Sequence, residues 1–349
     1  MIKFMNNINI NKWELLSILR ERCNCDKDNK ENKEKYISGE ELSKRFNVTR
    51  AAVWKCVAEL KKLGYEIESK TNNGYKIIDS PEISDILNEY EILDRLKNHS
   101  QDYTYDVIYK KSTDSTNNDA KKAAGKNNLV VVSEKQTNGK GRYGRDFYSD
   151  NNNGIYFTIK INNSLNKLNI DDITFFPLIA AAAVSQAVSD FCGTELSVKW
   201  PNDLLYKSDD GKYKKLCGIL TEASVEAENR SVSYVIVGIG LNVNNDISDF
   251  PDGLKDTASS LKIISGRKYN RVDILCGIID IFTRFLSLPR ESLLEEYKKR
   301  LLLGIDISFA QNGRLFRGRA TGITGSGNLA AMLENGEETV IQSGEINFV

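Results

Sequence analysis

The segment Gly139-Lys140-Gly141-Arg142-Tyr143-Gly144-Arg145 alternates glycines with cations. Such a loop can fold its backbone N–H groups around an anion while Lys140, Arg142 and Arg145 neutralise the charge. A solvated basic turn fits the same residues. Three familiar phosphate loops do not. A dinucleotide-binding loop follows a strand and opens a helix. Residues 129–134 (LVVVSE) supply the strand, but a polar, turn-rich stretch comes next and IYFTIKI (155–161) reads as another strand. A protein-kinase glycine loop does lie between strands, yet the H-R-D and D-F-G signatures are absent and the one histidine, His99, precedes the loop. No G-K-[ST] occurs, which excludes a Walker loop.

Other polar groups recur along the chain. Ser115, Thr116 and Asn117 stand in a row before a short predicted helix, three small hydrogen-bonding side chains suited to a polar pocket. Lys199 follows a predicted strand and leads into the stiff turn Trp200-Pro201-Asn202-Asp203. KKLCGILTE (214–222) carries Lys215 and Gly218, and VIVGIGLNVN (235–244) reads as a strand ending at Asn242. Each taken singly has a purely structural reading.

The elements that must position these groups fall into three predicted domains: 1–80, 84–302 and 303–349. In the first, Leu15, Leu16, Ile18 and Leu19 have helical spacing. The charged stretch 23–38 cannot bury enough apolar surface to order itself and is expected to be a mobile loop. Ser38 caps a second helix, with Glu41 completing a capping box, and Phe46-Asn47 end it. Thr49 caps a third helix with Val53, Val57, Leu60 and Leu63 on one face, stopped by Gly64. YEIES and GYKII then read as two strands around Lys70–Gly74, with Asn-Gly at the tip. That is a winged helix-turn-helix. Use for protein contacts remains open, but Arg50 and Lys55, presented with Trp54 away from the apolar face, and Lys70 in the wing favour DNA. The candidate DNA-binding residues are Thr49, Arg50, Lys55 and Lys70. In the middle region strands alternate with helices, among them an Ala-rich helix near 178–191 and helical stretches within 270–302. This predicts a mixed sheet with packed helices, in the α+β class.

At 349 residues the chain is long for one core and predicts two or three domains. With 40% hydrophobic and 28% charged residues it has the composition of a globular protein. The longest apolar run, 173–184, is shorter than the ~20 residues of a membrane span, and residues after Met1 lack a signal-peptide pattern, so a cytoplasmic protein without a membrane partner is expected. The six cysteines form no C-x-x-C pair and are expected to be reduced thiols, with no protein metal site. Formal net charge is zero, although residues 1–80 hold 16 Lys and Arg against 12 Asp and Glu. That mild asymmetry decides nothing alone.

In order and spacing, the run S-T-N, then Q-x-x-G-K-G-R-x-G-R from Gln136, then K-W-P-N-D, K-x-x-G-I-L and G-x-G-x-N-V-N resembles the biotin protein ligases. With the winged helix it resembles the bifunctional members, which also repress the biotin operon. The resemblance spans essentially the whole chain and implies a class II synthetase-like biotin/lipoate ligase catalytic domain, with residues 303–349 as a small SH3-like β-barrel. It implies a biotin–[biotin carboxyl-carrier protein] ligase that joins biotin to the α-phosphate of ATP, with Mg²⁺ assisting, and passes biotin to a lysine of a carrier protein. Carried over, Ser115, Thr116, Asn117, Gln136, Lys140, Gly141, Arg142 and Lys199 would bind biotin. Arg142, Arg145, Lys199 and Asn242 would hold ATP or the adenylate, and Lys199, Arg142 and Arg145 would be catalytic. A homodimer of the adenylate-bound form would bind an inverted-repeat operator. One departure is Lys140, where an arginine is usual: harmless if the backbone works there, costly if a bidentate fork is needed. A lipoate or octanoate ligase, and a biotin-sensing regulator without efficient catalysis, are the rival expectations.

Overall fold

The computed structural model describes residues 10–24, 36–78, 85–99, 105–166, 168–226, 228, 231–311 and 313–349. The expected mobile loop at 23–38 lies largely outside them. The chain divides into two compact units, 1–94 and 95–349. The expected barrel segment belongs to the second unit, and the finer division at 80/84 and 302/303 we keep as a proposal.

In the first unit, α1 (Lys12–Asn24), α2 (Gly39–Arg45) and α3 (Arg50–Lys62) precede the hairpin β1 (Ile67–Lys70) and β2 (Gly74–Ile77). Leu15, Leu16 and Leu19 of α1 pack with Leu42, Val53, Val57, Leu60, Ile67 and Ile77 in one core, so the apolar spacing read from the sequence is the buried face. Ser38 Oγ accepts from Glu41 N at 3.0 Å and Thr49 Oγ1 from Ala52 N at 3.2 Å, and these caps satisfy the first turns of α2 and α3. The hairpin tip differs from expectation. Lys70 pairs with Gly74, so Thr71-Asn72-Asn73 form the loop and Asn72, at φ 68°, supplies the left-handed residue. Asparagine tolerates that region better than most residues. The division between units falls within α4 (Glu89–His99).

The second unit is built on a seven-stranded sheet. Its strands are β3 (Tyr105–Lys110), β4 (Asn128–Ser133), β5 (Ile155–Asn162), β6 (Ser197–Lys199), β7 (Asp203–Lys207), β8 (Tyr213–Val225) and β9 (Val232–Leu241), in spatial order β3-β4-β5-β9-β8-β7-β6. Only β3 and β4 are parallel, which makes the sheet mixed. Helix α5 (Thr116–Lys122) connects β3 to β4 and meets a cluster of Leu129, Val131 and Ile236 through Ala120. The short α6 (Asn163–Asn166) follows β5. Helix α7 (Phe176–Cys192) packs on β7, β8 and β9 and on α9 (Arg271–Leu286), α8 (Leu261–Ser265) lying before the latter. Ala180–Ala183 are fully buried, small side chains that let the helix approach closely. By length and composition Ile170–Cys192 could cross a membrane, but 72% of its most apolar 18-residue window is buried within the unit as a core helix. After α10 (Arg290–Lys298) come β10 (Asp306–Gln311), β11 (Arg314–Ile323), β12 (Leu329–Leu333), β13 (Glu338–Ile341) and β14 (Ile346–Phe348). They form an antiparallel sheet in the order β13-β12-β11-β10-β14, consistent with the expected barrel. The architecture is the α+β arrangement that the alternation of strands and helices predicts.

Candidate active site and recognition helix

Strand register assembles the site. Across the sheet, Lys199 pairs with Asp203, Asp203 with Gly218, Gly218 with Gly240, and Gly240 with Tyr156. Directly paired residues point to one face, so this row runs from two charged residues through two glycines to the buried Tyr156. Two residues along, Leu220 pairs with Gly238 and Gly238 with Thr158; two further, Glu222 pairs with Ile236 and Ile236 with Lys160. The glycines are required by what lies on them. A Cβ on Gly240 would sit 2.3 Å from the Phe147 ring, and one on Gly238 2.2 Å from Asn117 Oδ1.

Above these rows is a cleft of about 120 Å³, tighter than the roughly 300–1,000 Å³ typical of small-molecule sites. At one end its polar groups interlock. Thr116 N and Oγ1 donate to Gln136 Oε1 at 2.8 and 3.1 Å, and Gln136 Nε2 donates to Ser149 Oγ at 3.2 Å. Thr158 Oγ1 lies 2.8 Å from Thr116 Oγ1 and 2.6 Å from Asn117 Oδ1, and Asn117 Nδ2 donates to Glu222 Oε2 at 2.9 Å. Lys121 closes the chain on Glu222 Oε1 at 2.5 Å. Burial pushes the Glu222 carboxyl up, but the hydrogen bonds from Lys121 and Asn117 and the charges of Lys121 and Lys140 outweigh it and hold it below its ordinary range. Ser115 is buried at the N-cap of α5 beside this network. Lys160 Nζ donates to Ala123 O at 2.9 Å, holding the C-terminal end of the same helix.

The other end is cationic. Lys215 Nζ lies 2.8 Å from Asp203, and Arg145 pairs with Glu345 at 2.6 Å. Arg142 donates to Asn202 Oδ1 at 3.1 Å and stacks over Tyr143. Burial draws the Lys199 ammonium pKa below its ordinary value; Asp203 and Glu345 oppose that, while Lys215 and Arg145 reinforce it. Its Nζ sits 5.2 Å from the centre of the Phe348 ring. Trp200 Nε1 donates to Gly327 O at 3.1 Å, pinning the Trp200–Asp203 turn to the C-terminal sheet.

Ser115, Thr116, Asn117, Gln136, Lys140, Gly141, Arg142, Arg145 and Lys199 therefore all line one cleft. In the glycine loop Gly141 N donates to Arg145 O, Arg145 N to Arg142 O and Phe147 N to Gly139 O, so the segment forms a small hairpin. Asn242 is not among the lining residues. Strand β9 ends one residue before it, and its Nδ2 donates to Ser259 O at 3.0 Å while its N–H is bound to Leu216 O. Lys215, Asp203, Phe147 and Glu345 line the cleft without having been assigned a role. For Lys215 the signal was present, in the K-x-x-G-I-L segment. For Glu345, 200 residues from its partner Arg145, local sequence held none.

In the first unit, Arg50, Trp54 and Lys55 are exposed on α3, Trp54 at 65%. Arg50 is paired with Glu40, which also holds Lys44 at 3.0 Å. Lys70 of the wing pairs with Glu68 at 3.1 Å and lies over the Tyr36 ring. Thr49 is exposed, its hydroxyl engaged as the helix cap.

A winged helix and, in the same chain, a sheet-floored cleft with amides at one end and cations at the other define a DNA-binding protein that also activates a small acid. Residues 106–242 match the biotin/lipoate A/B protein ligase family, and residues 30–76 match an HTH domain. The chain is 35% identical over 313 residues to the bifunctional ligase/repressor BirA of Bacillus subtilis, covering 86% of this chain and 90% of that one. It is 26% identical over 210 residues to the Escherichia coli bifunctional ligase/repressor BirA, covering 60% of each. Among solved structures, the biotin protein ligase from Aquifex aeolicus in complex with biotin and ATP superimposes with a TM-score of 0.57 at 26% identity, covering 70% of this chain and 98% of that one. The chain belongs to the biotin/lipoate protein ligase family, in its bifunctional ligase/repressor branch.

Proposed function

We propose that this chain adenylates biotin, transfers it to a lysine of a biotin carboxyl carrier protein, and represses transcription by binding operator DNA. The observation that carries the reading is the polarity of the cleft: a buried amide end suited to a neutral ring, facing a cluster of cations suited to a carboxylate and a triphosphate. A carboxylate oxygen of biotin attacks the α-phosphorus, the α–β bridging bond breaks, and its electron pair leaves with pyrophosphate. Negative charge concentrates on the phosphoryl oxygens in that step, and pre-placed cations there stabilise the transition state more than the ground state. Lys199, Lys215 and Arg142 are the groups we assign to that work, with Arg145 joining when Glu345 releases it. The acceptor lysine, as a neutral amine, then attacks the acyl carbon and displaces AMP, its surplus proton passing to solvent.

Serine 115, Thr116, Asn117 and Gln136 hold biotin in this scheme, and Lys140, Gly141 and Arg142 cover it, excluding the water that would hydrolyse the anhydride. Mg²⁺ carried by the triphosphate would supply further charge neutralisation beside Lys199, Lys215 and Arg142. Among the described residues no group of three or more His, Cys, Asp or Glu could hold a metal ion, and the cleft carboxylates Asp203 and Glu345 face Lys215 and Arg145. Arg50, Lys55 and Lys70 meet DNA phosphates and base edges. The adenylate-bound chain acts as a homodimer on an inverted repeat, in the cytoplasm.

The test is mass-spectrometric detection of acyl-adenylate and pyrophosphate after incubation with ATP, Mg²⁺ and, in parallel, biotin, lipoate or octanoate. Biotinyl-adenylate alone is the expected outcome. A lipoyl- or octanoyl-adenylate would move the chain to the lipoate branch, and biotin binding without adenylate would leave a sensor-repressor.

A further inference from the structure

Resting on that function, we infer that Glu222 and Thr158, neither of which lines the cleft, are positioning residues that set the donor–acceptor order of the ligand-facing amide Asn117, beside Gln136, whose order the Thr116 backbone fixes. An ionised carboxylate only accepts hydrogen bonds. Glu222 therefore draws the NH₂ group of Asn117 toward itself at 2.9 Å and turns Asn117 Oδ1 toward Thr158 at 2.6 Å. The single proton of the Thr158 hydroxyl then goes to that oxygen rather than to Thr116 Oγ1, 2.8 Å away, and the Thr116 hydroxyl keeps its own proton for Gln136 Oε1 at 3.1 Å. Thr116 N fixes Gln136 Oε1 at 2.8 Å, so the NH₂ of Gln136 faces Ser149, whose own hydroxyl is directed at Phe147 O at 3.1 Å. The direction of the Asn117 amide is determined from the carboxylate inward, and that of Gln136 from the Thr116 backbone N–H.

Burial gives the relay its force. Thr158 is fully buried, and Thr116, Asn117, Gln136 and Ser149 are at most 8% exposed, so a reversed amide would face an unpaired partner with no water to replace it. Lys121 keeps the acceptor charged from the solvent side. Gly238 supplies the space: any side chain there would displace Asn117. A ligand whose ring carries donors and an acceptor in fixed order is matched only while both amides keep theirs.

The experiment measures biotin and 2-iminobiotin affinity by calorimetry, and adenylate formation, for wild type, Glu222→Gln, Thr158→Val and Thr158→Ser. A glutamine can donate as well as accept, so E222Q frees the amide to reverse without changing its size. Biotin is expected to bind E222Q and T158V about tenfold more weakly, the scale of one hydrogen bond to a charged group. Because 2-iminobiotin replaces the ring's acceptor oxygen with a nitrogen that can donate, its affinity falls less and the preference for biotin narrows. T158S, which keeps the hydroxyl, restores both affinity and preference, and thermal melting identifies any variant that fails to fold. Equal weakening of both ligands, or unchanged biotin affinity in E222Q, overturns the inference. Wild type that binds biotin with the stated preference but forms no adenylate overturns the ligase activity and leaves the positioning role standing.

Discussion

At the polar end of the cleft, Thr116, Asn117 and Gln136, with Thr158 behind them, are at most 8% exposed and hold one another by hydrogen bonds. On α3 of the first unit, the Arg50 side chain is 68% exposed and held through Glu40, while Trp54 stands in solvent. The contrast follows from what each surface meets. A small neutral ring offers few contacts, so the groups that read it must be fixed before it arrives; that removes the entropy of ordering them. A DNA duplex offers a long array of phosphates, which exposed cations on flexible stems can find, and the affinity comes from counterion release rather than fit. The cationic end of the cleft lies between these extremes, its Arg145–Glu345 and Lys215–Asp203 pairs ready to exchange a carboxylate for a phosphate.

The largest effect that would sharpen this contrast is expected at that end. Lys215→Ala and Lys199→Ala should each lower the rate of adenylate formation by on the order of 10²–10³ while biotin affinity changes little, as for loss of a pre-placed transition-state group; pyrophosphate-release kinetics with calorimetry separate the two. Unaltered turnover in both would remove the cationic end from the mechanism. Gly240→Ala should act on the fixed floor instead. Its methyl would lie 2.3 Å from the Phe147 ring, and overpacking of that kind costs about 1–3 kcal/mol, so biotin should bind roughly tenfold more weakly. A normal affinity would mean the floor yields, contrary to the comparison. The smallest effect belongs to the exposed surface. Arg50→Ala should weaken operator binding several-fold and lower the salt dependence by about one unit of slope, with adenylate formation unchanged. Release of Glu40 and Lys44 limits the loss, and a fluorescence titration over a range of salt concentrations reads both numbers.

Legibility in the sequence follows the same division. The helices α1, α3 and α7 and the strands β4, β5 and β9 announce themselves by apolar period, and each is where its pattern puts it. The cluster around Ser115–Asn117 and the cationic loop were legible as chemistry because their residues are adjacent in the chain. What stayed hidden is set by register and by distant pairing. Nothing near Thr158 or Glu222 reveals that both meet Asn117, since that follows from a register that sets Thr158 opposite Gly238 and Glu222 opposite Ile236. In the glycine loop the same glycines that permit an anion nest also permit a tight self-bonded turn, so its hairpin was one of two readings the residues left open. Asn242 was assigned through the resemblance to the ligase family, and it lies one residue beyond the end of β9.

The pairing of Gly218 with Gly240 makes the cleft a report on folding itself. Sliding β8 along β9 by one residue would turn its alternate side chains to the opposite face and set Leu241 or Ile239 across from Gly218, leaving Phe147 no bare backbone to rest on. Only chains paired in the native register possess the cavity, so only they can take up ligand. At a ligand concentration one hundred times the dissociation constant, such linkage favours the correct register by about 2.7 kcal/mol over any state that cannot bind. A ligand that fills the cleft therefore selects for correctly paired strands as well as occupying a site.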